Sequence, residues 1–171
     1  MSAPSLATPG SFVKAAGFEG QIATLDHPIT ISRKNESATA ISFGRAVARG
    51  ASGGCKPPAA DGDVIIGISV RDMAAVVAST DGNNTTTIAQ NGMVTILKDG
   101  FIYAVAIEAV RDGDQVLSLT ASGGTLTGTQ GGAAGSGRVV VTGAIWCEAV
   151  AAGAIGKIRI SGPSEAATTT T

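Results

Sequence analysis

The sequence predicts an all-β protein: an antiparallel β-sandwich or barrel, jelly-roll-like, with long glycine-rich loops and extended terminal arms. Three observations lead there. Apolar runs are short and rich in valine and isoleucine, which suits strands better than helices. Turn residues separate these runs about every ten residues, the spacing of sandwiches and barrels. Glycine accounts for 24 of the 171 residues, whereas Trp, Tyr and Phe number only 1, 1 and 4. The core must therefore be built from small aliphatic side chains.

The elements follow in order. The first residues are small, polar and broken by Pro4 and Pro9, and residues 1–16 read as an amino-terminal arm. Residues 17–160 hold the apolar runs and read as a β domain, or as two β subdomains. Residues 161–171, ending in four threonines, read as a carboxy-terminal tail. Within the domain, strands are expected over Val64–Val70, Met93–Leu97, Phe101–Val110, Val116–Leu119, Arg138–Val141, Ala144–Val150 and Ile155–Ile160. Only Ser37–Phe43 and Arg71–Ala78 leave room for a short helix or irregular turn, and neither carries a helical stripe.

Asp-Gly pairs supply much of the punctuation, at Asp61-Gly62, Asp81-Gly82, Asp99-Gly100 and Asp112-Gly113. An Asp-Gly pair between two apolar runs signals a tight hairpin, because its turn needs positive φ at both central residues. Hairpin turns are therefore expected at Asp99-Gly100 and at Asp112-Gly113. Three stretches read as long loops: Arg49–Asp63, Ser79–Thr87 and Ser122–Gly137. The third is glycine-rich but lacks the lysine and helix that a phosphate-binding loop requires.

Bulk properties narrow the function. A formal net charge of −1 offers no basic excess for nucleic acid. The terminus MSAPSLATPGSFVK has neither a basic region nor a long apolar one, which predicts an unexported chain. The apolar run Val139–Cys147 is too short to span a bilayer, so no membrane partner is expected. The two cysteines, Cys55 and Cys147, are expected to be free thiols in such a chain. Cys147, in an apolar run, reads as a small core residue; Cys55 lies in a Gly/Pro-rich loop, and its exposure is left open.

Each polar cluster has a chemical reading and a plain one. Asp112 and Asp114 pose the choice of a calcium site, a carboxylate pair or a bend. Of eight aspartates, six fall in or beside Asp-Gly turns. The residues after Asp114 become apolar at once, unlike an EF-hand loop, so the bend is favoured. His27, between Asp26 and Pro28, is the one histidine. Without a nucleophile motif it reads as structural, and a Cys/His nucleophile pair lacks support. Ile31–Ser37, "ISRKNES", reads as a small charged, solvated turn. Trp146 reads as a core or subunit-contact residue; together with Tyr103 and the phenylalanines it is too few for a sugar-binding face. No Cys, His or carboxylate cluster has zinc spacing. No catalytic residue, cofactor or metal is assigned, and no interface residue can be named.

The ordered string of motifs carries more. "FGRAV" (Phe43–Val47) is followed by "GISVRD" (Gly67–Asp72), the stretch Gly92–Val105, "GDQV" (Gly113–Val116), "GTL" (Gly124–Leu126) and "AIW" (Ala144–Trp146), closing at Ile160. Over residues 17 to 160 this order resembles the structural cement proteins of tailed bacteriophages, the capsid decoration proteins. The resemblance implies an all-β protein on the outer surface of a phage head, made in the host cytoplasm. It would stabilise the shell by clamping neighbouring major capsid subunits, with no catalytic residue to carry over. It also implies a homo-oligomer, with a trimer at local three-fold axes favoured over a dimer. Repetition on a shell would multiply weak contacts into avidity. Two other classes remain open: a carbohydrate- or receptor-binding β module, which needs exposed aromatics, and a β-rich hydrolase or lyase, which needs polar residues clustered around His27 or the carboxylates.

Overall fold

A computed structural model describes residues 17–24, 27–72, 87–128 and 137–162. Its strands in chain order are β1 (Ile29–Lys34), β2 (Ile41–Ser42), β3 (Ala46–Arg49), β4 (Cys55–Lys56), β5 (Ile65–Ser69) and β6 (Thr87–Ile88). They continue with β7 (Met93–Val105), β8 (Gln115–Leu119), β9 (Thr125–Thr127), β10 (Arg138–Trp146) and β11 (Ile155–Ile160). The sole helical element among the described residues is a single 3-10 turn, Thr120–Ser122. Every pairing between named strands is antiparallel. The all-β expectation holds, and the packed halves of the sheet make it sandwich-like.

The main sheet runs β4-β3-β5-β7-β11-β10-β8-β9, with β1 added on β7, while β2 and β6 form a separate ribbon. β7 is the shared spine. Its first half lies between β1 and β5, and its second half pairs with β11. The hairpin expected at Asp99-Gly100 is therefore corrected: the pair sits inside β7. Asp99 stands opposite Ile29 and Gly100 opposite Ile160. The Asp-Gly signal reports a local positive φ, and Gly100 does have φ +127°. That conformation bends the strand without reversing it, because each half finds its own partners. Met93–Leu97 and Phe101–Val105 are one continuous strand.

The same device fuses two other expected strands. Gly143, at φ +73°, lies within β10. Its register with β8 shifts between Val140 and Ile145. The extra residue of such a bulge flips the side-chain alternation. Val139 and Val141 face the core before it, and Ala144 and Trp146 face the core after it.

Both halves of the sheet curl. Asn35, next after β1, bridges to Cys55 in β4, and Ala106, next after β7, bridges to Leu126 in β9. Two buried clusters result. One gathers Leu97, Ile102, Val116, Leu126, Trp146, Ile158 and Ile160 with the alanines of β3. The other gathers Val47, Cys55, Ile66, Val94 and Ile96 under the β2–β6 ribbon's Ile41 and Ile88, with Phe43. β5 serves both clusters, so all five of its residues are buried. Its bulge, with Val47 opposite Gly67 and Ala48 opposite Ile65, turns Ile65 and Ile68 to one core and Ile66 to the other. At Gly67 a β-carbon would lie 2.3 Å from the Leu97 carbonyl, so only glycine permits this approach of strands.

Candidate interaction surface

The sequence-derived candidates disperse over the fold. Asp112-Gly113 does form a turn: Asp114 N–H donates to the Arg111 carbonyl at 3.2 Å, and Gly113 has φ +83°. The Asp114 carboxylate accepts the Arg111 N–H at 2.8 Å, closing its own turn. The turn is not a hairpin between neighbours, which corrects the expectation. β8 pairs with β10 and β9, and not with β7. The reason is that Val110 bridges to Val150 and the Gly113 N–H donates to the Trp146 carbonyl, tying the turn to the end of β10.

His27 is exposed, with φ +46°, just ahead of Pro28. Asp26 lies outside the described residues, as do most of Ser79–Thr87 and the middle of Ser122–Gly137. Trp146 is fully buried and its Nε1–H donates to the Thr127 carbonyl at 3.1 Å, so it is a core residue. Gly156 makes room for it, since a β-carbon there would lie 3.1 Å from the indole ring.

The core position expected for Cys147 is corrected, and the open question of Cys55 is answered. Cys55 is fully buried in β4, while Cys147 is partly exposed just after β10. The Gly/Pro-rich stretch around Cys55 is not all loop; it carries a strand that packs into the second cluster. Burial pushes the Cys55 thiol up to about 11, and the Glu36 carboxylate adds to the shift.

"ISRKNES" is also corrected: Ile29–Lys34 is strand β1, and Asn35 is fully buried behind it. Asn35 Nδ2 donates to the carbonyls of Thr39 at 3.0 Å and Ile88 at 3.2 Å, and its Oδ1 accepts the Ser37 N–H. The Glu36 carboxylate then accepts the N–H groups of Ser52 and of Gly54, the latter at 2.7 Å. These bonds lower the Glu36 carboxyl below its usual value. The Arg33 guanidinium donates to the Gly53 carbonyl. Arg33, Glu36, Ser52, Gly53 and Gly54 help line an open polar groove of about 670 Å³. Arg33 and Glu36 are engaged with the glycine loop beside them, so they hold that loop. Among the described residues no group of His, Cys, Asp or Glu is placed to hold a metal.

A different surface stands out. Residues 17–23 run along the free edge of the second half of β7. Gly20 N–H donates to the Tyr103 carbonyl, Tyr103 N–H to Gln21 and Ala23 N–H to Phe101, at 2.8–2.9 Å. Within this segment, Phe18 to Gln21 form a β-turn closed by Gln21 N–H to the Phe18 carbonyl at 2.9 Å. Gly20 supplies the positive φ, +79°, that such a turn needs at its third position. Gln21 Oε1 accepts the Phe18 N–H at 3.0 Å from the other side. The turn holds Phe18 66% exposed, the most exposed large apolar side chain among the described residues.

Beside it lies an open cleft of about 410 Å³, lined by Phe18, Gln21, Ile22, Val70 and Arg71. The Arg71 guanidinium lies between two rings, 5.4 Å from the centre of exposed Phe18 and 5.9 Å from that of buried Phe43. Glu19 Oε1 sits 3.2 Å from Arg45 Nε, an ion pair without hydrogen-bond geometry. Burial raises the Glu19 carboxyl above its usual value, against the pull of Arg45 and Arg71. Sequence reasoning passed over this surface. The signal was the tetrapeptide Phe18-Glu19-Gly20-Gln21, an aromatic residue in a turn ahead of a glycine.

Comparison with known proteins bears on the whole chain. Residues 10–161 match a family model described as structural cement protein (E217 gp24/Pam3 gp6). Among solved structures, a chain from the capsid of Myoviridae phage XM1 superposes with a TM-score of 0.65 at 17% identity, over 92% of this chain and 98% of that one. At that identity the likeness speaks for the fold. No curated protein sequence matches.

Proposed function

The chain belongs to the structural cement protein family, and on that premise we propose that it binds the outer surface of a phage head and clamps neighbouring major capsid subunits. It is a capsid cement, or decoration, protein, and its place is the virion capsid. The observation that carries this is the family match over residues 10–161. The origin of the superposed XM1 chain in a phage capsid supports the same reading.

The finer points rest on physical fit. The protein acts by contact and not by catalysis: Asp114 closes its own turn, and His27 stands exposed on a surface bend. The β body of this proposal is residues 17–160; the segments 1–16 and 163–171, expected as arms, lie outside the described residues. The assembled state is a homotrimer at local three-fold axes, a geometry that lets each copy touch several capsid subunits.

The test is co-sedimentation of the purified protein with expanded capsids that lack it. Saturable binding at a fixed number of copies per capsid is expected, and sedimentation of the free protein should give a trimer mass. Failure of the full chain to co-sediment would refute the assignment.

A further inference from the structure

We infer that the Phe18–Arg71 cleft is the contact through which this protein seats a major capsid subunit, taking an apolar side chain flanked by a carboxylate. The inference rests on the capsid-binding reading above and names the surface and chemistry that serve it.

Three features of the cleft converge. The first is exposure. Phe18 is 66% exposed, although an isolated phenylalanine in water forgoes the burial energy that its ring would otherwise contribute. The second is preorganisation. The turn is pinned on both sides by hydrogen bonds between Phe18 and Gln21. The segment that carries it is hydrogen-bonded to β7, and the Arg71 N–H donates to the Gly20 carbonyl at 2.7 Å. A ring held in its bound position loses little entropy on binding. Phe43 and Gly44 crowd the turn from below, since a β-carbon on Gly20 would lie 2.8 Å from the Phe43 side chain and 2.9 Å from Gly44 N. The turn therefore cannot sink into the body to hide Phe18.

The third is charge. Arg71 lies over two aromatic rings, and the nearby Glu19 carboxylate, ion-paired with Arg45, is drawn more weakly by Arg71. Its guanidinium thus caps an otherwise apolar cleft of Phe18, Ile22 and Val70. Charge complementarity selects the occupant: an apolar side chain fills the cleft while a neighbouring carboxylate takes the guanidinium's forked donors. Aromatic and arginine side chains at the centre of a patch are the usual carriers of binding energy.

The experiment compares wild type with Phe18→Ala and Arg71→Gln in co-sedimentation with expanded capsids lacking the protein. Ile107→Ser and Val64→Ser, which alter exposed apolar residues elsewhere, serve as surface controls. Circular dichroism and melting curves establish that each variant is folded, and sedimentation of the free variants reports their oligomeric state. The expected result is wild-type affinity for both controls and a loss of roughly tenfold or more for Phe18→Ala and Arg71→Gln, with the free oligomer intact. Binding of the two cleft variants at wild-type strength, or an equal loss in the controls, overturns the inference while leaving the capsid-binding function standing. Dissociation of the free oligomer by Phe18→Ala also overturns it, because the occupant is then a second copy of this chain. If wild type itself fails to bind, the failure is that of the proposed function.

Discussion

The Trp146 indole N–H donates to the Thr127 carbonyl at 3.1 Å and ties β10 to β9 across the interior of the first core. Tryptophan belongs there because one side chain both fills the space left by Gly156 and satisfies a buried carbonyl. Trp146→Phe keeps an aromatic ring but removes the indole donor. It should cost about 0.5–1.5 kcal/mol for the lost hydrogen bond, plus a packing loss. Chemical denaturation measures it, and an unchanged midpoint and slope would mean the bond contributes nothing.

Gly100 permits the bend by which β7 passes from β1 and β5 to β11. A β-carbon there would meet nothing closer than 3.4 Å, so the constraint is φ +127° and not space. Gly100→Val should destabilise by about 1–3 kcal/mol through backbone strain. Gly153, whose β-carbon would meet nothing within 4 Å at φ +78°, gives the comparison for strain at a surface turn. A Gly100→Val protein as stable as wild type would show that the strand crosses between partners without this bend.

These two sites show what was legible in the sequence. Ile155–Ile160 was read to the residue and Val64–Val70 within one residue at each end, because β-branched runs bounded by turn residues leave little choice of structure. Gly100 and Gly143 were read as breaks between strands, since a positive φ looks the same locally whether the chain reverses or bends. Only the distant partners Ile29 and Ile160 distinguish the two. β1 was missed because three consecutive polar residues, Ser32, Arg33 and Lys34, close it and only Ile31 and Arg33 are partly buried, so no apolar run marks it. The burial of Cys55 was not legible in its loop-like stretch because two residues suffice for β4 once β3 lies alongside. Phe18 stayed hidden for a similar reason: exposure depends on which face of an added segment the turn presents.

Two glutamates should give opposite pH responses. The N–H groups of Ser52 and Gly54 lower the Glu36 carboxyl, so the unfolded chain takes up its proton first. The stabilisation is present above the ordinary carboxylate value and is lost as pH falls through the lowered one. Glu36→Gln should therefore melt below wild type at pH 7, with the gap closing under acid. Burial raises the Glu19 carboxyl, so the folded chain takes up that proton first and this contribution improves as pH falls toward the ordinary value. Glu19→Gln should melt no lower than wild type at pH 7. A lower melting temperature would mean that the Arg45 ion pair outweighs burial.

The thiols should react in sequence. Iodoacetamide on native protein at pH 8 should label Cys147 before Cys55, because Cys55 is fully buried with its thiol pushed up to about 11 and the thiolate is the reactive form. Intact-mass measurement should show one added group under native conditions and two after denaturation. Simultaneous labelling would mean that β4 opens readily.

The central claim is that this protein holds a filled shell together, and a thermal DNA-release assay tests it most directly. Expanded, DNA-filled heads lacking the protein are heated with and without the purified full-length chain, and a dye reports escaping DNA. The account predicts that saturating protein raises the release temperature, in proportion to the copies bound. An unchanged release temperature on heads that have bound the protein would contradict it.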